Sequence, residues 1–139
     1  MAETITQSEE ETSALARTIA QGASAGDVFL LEGTLGAGKS VFARGFVRAL
    51  AGADTDVPSP TFTLVQTYES AKTPIYHFDL YRLEDPEEIY EIGWEEALAD
   101  GIALVEWPQR LGAHVPPKAI RIHIDILDNQ RRRITIDGK

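Results

Sequence analysis

The 139-residue chain contains no cysteine. That absence excludes disulfide-stapled scaffolds, cysteine-ligated zinc sites and iron–sulfur proteins. Histidine is scarce as well, and His77, His114 and His123 are scattered without a metal-ligand spacing. Long apolar runs are missing: stretches such as 28–31 and 102–105 fall far short of the roughly 20 residues a membrane span needs. The acidic N-terminus carries no apolar signal segment, so the expected setting is cytoplasmic, with no membrane partner. Positive charge is in deficit, with 13 Lys and Arg against 22 Asp and Glu and a formal charge of -9. An acidic surface opposes direct capture of nucleic acid, whose phosphates need clustered Lys and Arg. If RNA is involved, a partner protein is expected to hold it.

What is present is enough for a core. Apolar residues make up 43% of the chain, and a chain of this size buries about 68% of its unfolded surface. The length fits one domain, 1–139, with no repeat, low-complexity tract or linker. Thr6-Gln7-Ser8-Glu9 reads as a capping box, and a helix near 8–21 follows, with Leu15, Ala16, Ile19 and Ala20 at helical spacing and Gly22 at its end. A buried strand at 27–31 leads into a glycine loop, and a helical pattern over 41–50 stops at Gly52. Val57-Pro58-Ser59-Pro60 is a loop, because proline lacks an N–H and restricts its predecessor. The β-rich runs 61–69 and 74–83, split by 70–73, predict an antiparallel hairpin. Asp85-Pro86-Glu87-Glu88 is a second capping box, opening a short helix to about Ile92, with another around 94–99. A strand at 101–105 follows. The C-terminal hairpin, about 119–137, alternates Ile122, Ile124 and Ile126, turns at Asp128-Asn129-Gln130 and returns through Ile134 and Ile136, which predicts one buried face. Together these elements give an α/β class with a mixed parallel and antiparallel sheet flanked by helices.

Gly33-Thr34-Leu35-Gly36-Ala37-Gly38-Lys39-Ser40 matches G-x-x-x-x-G-K-[ST], the phosphate-binding loop. Glycines let consecutive N–H groups face phosphate oxygens, Lys39 neutralises the β and γ phosphates, and the Ser40 hydroxyl suits Mg²⁺. The helix that follows adds favourable partial charge at its N-terminus. A strand before and a helix after supply the context a P-loop NTPase domain requires. Three further segments bear on the chemistry. Glu106 ends a short apolar strand, where P-loop nucleotidases hold Mg²⁺ or its waters, although a surface Glu just past a strand is commonplace. Period two places Asp79 with Ile75, His77 and Tyr81 on one strand face. Asp79 is therefore either paired with Arg82 or a neighbouring His or Tyr, or a second acid near Mg²⁺ or the attacking water. Ser59-Pro60-Thr61 occupies the position where nucleotide switches sense the γ phosphate, or it is a rigid turn. His77 and Tyr81 are expected as polar groups satisfied beside the sheet, Trp94 and Trp107 as core or interface anchors, and Arg131-Arg132-Arg133 as a solvated strand edge.

Four stretches in this order resemble one family: 31–40, Ser59-Pro60-Thr61-Phe62-Thr63-Leu64-Val65, His77-Phe78-Asp79-Leu80-Tyr81-Arg82-Leu83 and Leu104-Val105-Glu106-Trp107-Pro108. The chain is similar to the bacterial ATPase of tRNA threonylcarbamoyladenosine biosynthesis, the TsaE (YjeE) family. The resemblance implies ATP or ADP and Mg²⁺ as cofactors. It implies action on the threonylcarbamoyl transferase and its partner subunit, which modify the adenosine beside the anticodon; tRNA would be met only through that complex. By the same resemblance, residues 33–41 bind the nucleotide, Ser40 and Glu106 hold Mg²⁺, and Asp79, Glu106 and Thr61 serve hydrolysis. At Val41 the family often has a threonine whose hydroxyl reaches the α phosphate; here that contact is lost or replaced. No function transfers to the C-terminal hairpin.

Three other readings compete. A GTPase lacks its N-K-x-D or T-K-x-D segment here. A small-molecule kinase needs an acceptor pocket and a basic lid, for which little chain is left. A nucleotide-dependent regulatory binding module would use the same acids and differ only in turnover.

Overall fold

A computed structural model describes residues 2–34, 36–60 and 63–138. Along them run β1 (Ala2–Thr6), α1 (Glu9–Gln21), β2 (Val28–Glu32), α2 (Lys39–Ala51), β3 (Val65–Tyr68), β4 (Ile75–Asp79), a 3₁₀ helix (Pro86–Ile92), α3 (Trp94–Asp100), β5 (Ile102–Glu106), a second 3₁₀ helix (Pro108–His114), β6 (Ile120–Ile126) and β7 (Arg132–Asp137). All seven strands join one sheet in the order β1-β7-β6-β2-β5-β4-β3. The centre is parallel, with β2 flanked by β5 and β6, and β4 parallel to β5. Three antiparallel pairs complete it: β3 with β4, and β7 with both β6 and β1. The expected mixed α/β sheet is what forms.

Unbroken apolar runs in β2 and β5 fit a sheet covered on both faces. On one face α1 and α2 bury Phe29, Leu31, Ile75, Leu104, Ile122 and Ile134. On the other, the segment from Leu80 to Ala97 and Leu111 bury Leu30, Phe78, Ala103 and Val105, with Trp94 set edge-on to Phe78 at 5.4 Å between ring centroids. Trp94 is thus a core anchor, as expected. The two helices approach closely at Gly45. A Cβ there would lie 2.6 Å from the Ser13 hydroxyl and 2.9 Å from its carbonyl oxygen. Because the second atom is helix backbone, Gly45→Ala is expected to push α1 off α2 and cost about 1–3 kcal/mol. Denaturant unfolding checks it: the midpoint should fall with an unchanged slope, and a wild-type midpoint would mean the helices slide apart freely.

Three expectations are corrected. The helix cap is Ser8, not Thr6: Ser8 Oγ accepts from the Glu11 amide at 3.2 Å, and Glu11 reaches back to the Gln7 amide at 2.7 Å. Thr6 instead ends β1, with its hydroxyl 2.7 Å from that of Thr12 in the interior. β1 itself was not anticipated from the sequence. Ile126 is exposed, because β2 ends opposite His123 and β6 runs on beyond its neighbour. Finally, the Arg131–Arg133 triplet is no free edge, since β1 covers β7.

Candidate functional site

The carboxyl ends of β2, β4 and β5 converge on the glycine loop, the crevice where open α/β sheets receive ligands. The loop leaves β2 at Gly33, whose φ of 150° and close approach to β6 exclude a side chain: a Cβ would lie 2.7 Å from the Ile124 carbonyl oxygen. It re-enters helix at Gly38, the α2 N-cap, with φ 109°, a left-handed conformation that glycine adopts without steric cost. Between them the Ala37 amide donates to the Thr34 carbonyl at 3.1 Å, and the Ala37 side chain is fully buried. Leu35 lies outside the described residues, as does Thr61.

Lys39 opens α2 and is buried, 6% exposed, with Nζ 3.9 Å from the centre of the Trp107 ring. Burial lowers the Lys39 pKa from 10.5, while the charges of Glu106 and Asp79 pull the other way. Trp107 is therefore more than a packing anchor. It holds a left-handed backbone, φ 59°, immediately after β5, and its other ring neighbour is Tyr81 at 4.9 Å between centroids. A non-glycine residue held at positive φ stores strain, a mark of functional sites.

Asp79 and Glu106 are partners in the parallel register of β4 and β5, and both are buried, at 5% and 6% exposure. Asp79 Oδ1 accepts the Tyr81 amide at 3.1 Å. That bond turns the chain, so β4 stops at Asp79 and Tyr81 leaves the strand face on which alternation had put it. Glu106 Oε2 lies 2.7 Å from His77 Nε2, both side chains being nearly inaccessible. The Nδ1 atom of His77 has no partner among the described residues, so the ring's described bond is the one to Glu106. His77 thus lies beside the sheet as expected but is satisfied at Nε2 alone, and its partner there is one of the two acids singled out for chemistry.

Lys39, Ser40, Val41, Ser59, Asp79, Glu106 and Trp107 line one cavity of about 310 Å³. A second, of about 600 Å³, opens across Gly36, Gly38 and Val41 and is walled by Ser8, Glu10 and Thr12 on one side and Asn129, Gln130 and Arg132 on the other. The C-terminal hairpin therefore reaches the loop, a role the sequence did not disclose. Arg132 Nε donates to the Ala37 carbonyl at 2.8 Å. The triplet expected to be solvated sends its middle residue into the site.

This arrangement has relatives. The family model for the threonylcarbamoyl adenosine biosynthesis protein TsaE matches residues 6–134. A tRNA threonylcarbamoyladenosine biosynthesis protein TsaE of Rickettsia conorii is 46% identical over 129 residues, covering 93% of this chain and 74% of that protein. The protein of the same name from Bacillus subtilis is 41% identical over 127 residues, 91% of this chain and 78% of its own length. Among solved structures, the crystal structure of Bacillus subtilis YdiB superposes with a TM-score of 0.80 at 33% identity, covering 99% of this chain and 84% of that one. No helix among the described residues is long and apolar enough to cross a membrane. With the family model matched over residues 6–134 and relatives of that name 41% and 46% identical over most of the chain, the chain belongs to the TsaE family.

Proposed function

We propose that the chain is a Mg²⁺-dependent ATPase that acts in threonylcarbamoyladenosine modification of tRNA, on the threonylcarbamoyl transferase and its partner subunit, in the cytoplasm. The observation that carries this reading is the meeting of Lys39, Ser40, Asp79 and Glu106 in one cavity at the phosphate loop. The names of the relatives point to the same pathway.

In this reading residues 33–41 wrap the phosphates, with backbone N–H groups and the α2 N-terminus facing the anion. Lys39 neutralises phosphate charge. The 600 Å³ cavity beside Val41 takes the nucleoside, and Val41 offers it apolar contact where a hydroxyl is absent. Mg²⁺ prefers a few hard oxygen donors and keeps much of its shell as water and phosphate. Ser40 and Glu106 supply such donors, and Asp79 stands beside Glu106, so the residues fit the ion. Among the described residues no group of three or more His, Cys, Asp or Glu gathers that could hold a metal ion by itself. When bound, the ion would supply positive charge to offset the negative charge that develops on the phosphates. Ser40 and Glu106 would hold it, His77 keeps the Glu106 carboxylate in one orientation, and Asp79 orients the attacking water. Thr61, outside the described residues, is assigned the switch position next to Ser59.

A partner is expected to complete catalysis, since a supplied arginine can be worth about 10³-fold or more. The test is release of inorganic phosphate from ATP and GTP with Mg²⁺, alone and with the transferase complex. Slow ATP turnover raised by the complex supports the proposal. Tight binding with no turnover under any condition favours the regulatory module, and phosphate appearing on a small molecule favours the kinase.

The Lys39 environment adds a pH dependence. Burial makes the free protein release the Lys39 proton below the usual lysine range, while phosphate favours the charged form. Nucleotide binding should therefore take up a proton at alkaline pH. Affinity should fall as pH rises toward 10.5, by at most about tenfold per unit. Calorimetric titration across that range checks it; Lys39→Arg should flatten the profile, and a flat wild-type profile would refute the assignment.

A further inference from the structure

We propose that Arg132 is a positioning residue for the phosphate loop, holding it in its anion-binding shape before any nucleotide arrives. This rests on the reading of residues 33–41 as a nucleotide site. The guanidinium joins two parts of the chain: Nε donates to Ala37 O at 2.8 Å and Nη2 reaches Gly36 O at 3.4 Å, while Nη1 donates to Asp128 O at 2.7 Å and Arg131 O at 2.9 Å. Four carbonyl oxygens around one planar cation are a match for the fixed fork of arginine, which a lysine cannot reproduce.

Both ends of the brace are anchored. Arg132 starts β7, an interior strand, and its backbone pairs with Thr6 of β1 and Ile126 of β6. The turn beside it is held by Asp128, whose carboxylate accepts from the amides of Gln130 and Arg131 at 3.0 and 2.8 Å and from Arg131 Nε at 2.7 Å. Those bonds hold its pKa down at about 2. On the loop side, Ala37 is fully buried. A peptide unit whose carbonyl is fixed has its N–H direction fixed too, so bonding Gly36 O and Ala37 O determines where the amides of Ala37 and Gly38 point. A loop ordered in advance costs the ligand less on binding.

The test compares wild type with Arg132→Gln and Arg132→Lys by three readouts. These are ADP affinity, affinity for tripolyphosphate, which has no base, and amide hydrogen exchange of 33–38 in nucleotide-free protein. Arg132→Gln should weaken both ligands in similar proportion, about tenfold or more, and speed exchange of the loop amides. Where turnover is measured, KM should rise with kcat near wild type. Arg132→Lys should recover only part. If Gln prevents folding, Lys gives the same pattern at smaller amplitude. Loss of ADP affinity with tripolyphosphate affinity and loop exchange unchanged would overturn the brace in favour of a base contact, and wild-type behaviour in every readout would overturn it outright. If the wild type binds no nucleotide, the functional reading fails, while the exchange measurement still decides whether Arg132 orders the loop.

Discussion

Lys39→Met should leave the protein folded and remove most of its affinity for ADP and ATP. Methionine keeps a long flexible stem that packs against the Trp107 ring, where Lys39 Nζ now lies 3.9 Å from the centroid. What it deletes is the charge. A charge-assisted contact is worth about 1.5–3 kcal/mol, and in the proposed site several phosphate oxygens would share this one, so the loss should be roughly ten- to a hundredfold or more. Lys39→Ala should lose as much affinity and also leave a gap beneath Trp107, lowering the thermal midpoint where methionine does not. The pair separates two roles of one side chain. Equal ADP affinity in wild type and both variants, measured by titration, would remove Lys39 from the phosphate site. A midpoint equally low in both would mean that the cation over the indole, rather than the stem, holds Trp107 in place.

Why the site was partly legible follows from how local its determinants are. The strand, loop and helix from β2 to α2 are contiguous, and each glycine has a backbone reason that a sequence pattern records. Asp79 and Glu106 were found separately, Asp79 as an acid within the β-rich run 74–83 and Glu106 as the acid that ends a short apolar strand. Their pairing required knowing that β4 lies parallel beside β5. His77 was read as a satisfied polar group, which holds for Nε2 but, among the described residues, not for Nδ1, and alternation alone could not name Glu106 as its partner 29 residues away. Arg132 was hidden most completely. Period two correctly gives a charged triplet both faces of a strand, but nothing near position 132 announces carbonyls 95 and 96 residues earlier. β1 failed for a related reason: four of its five residues are exposed, and its partner β7 is at the far end of the chain. The helix cap was displaced by two residues because Thr6 and Ser8 are both good cap formers with a Glu three positions on. The choice fell to strand pairing, which takes Thr6.

Glu106→Gln and Asp79→Asn should separate binding from turnover. Each swap preserves shape while removing a charge and turning one acceptor oxygen into a donor, so in the proposed site the glycine loop and Lys39 should keep their hold on the phosphates. Nucleotide affinity should change by no more than a few fold. Hydrolysis, with the partner complex present, should fall on the order of 10²-fold or more, the scale on which a positioned acid or base acts. His77 then supplies a third arm. His77→Ala removes the ring 2.7 Å from Glu106 Oε2 and leaves a buried carboxylate short of a partner, which should cost about 1–3 kcal/mol of stability and slow turnover less than Glu106→Gln does. In the double variant His77→Ala/Glu106→Gln, losing the ring should add little further to the loss of kcat, because orientation matters only while the charge is there to be oriented. Additive losses in that cycle would mean that His77 acts on the reaction independently of Glu106. If Glu106→Gln instead abolished nucleotide binding with the fold intact, Glu106 would belong to the binding site itself and its role in turnover would have to be withdrawn.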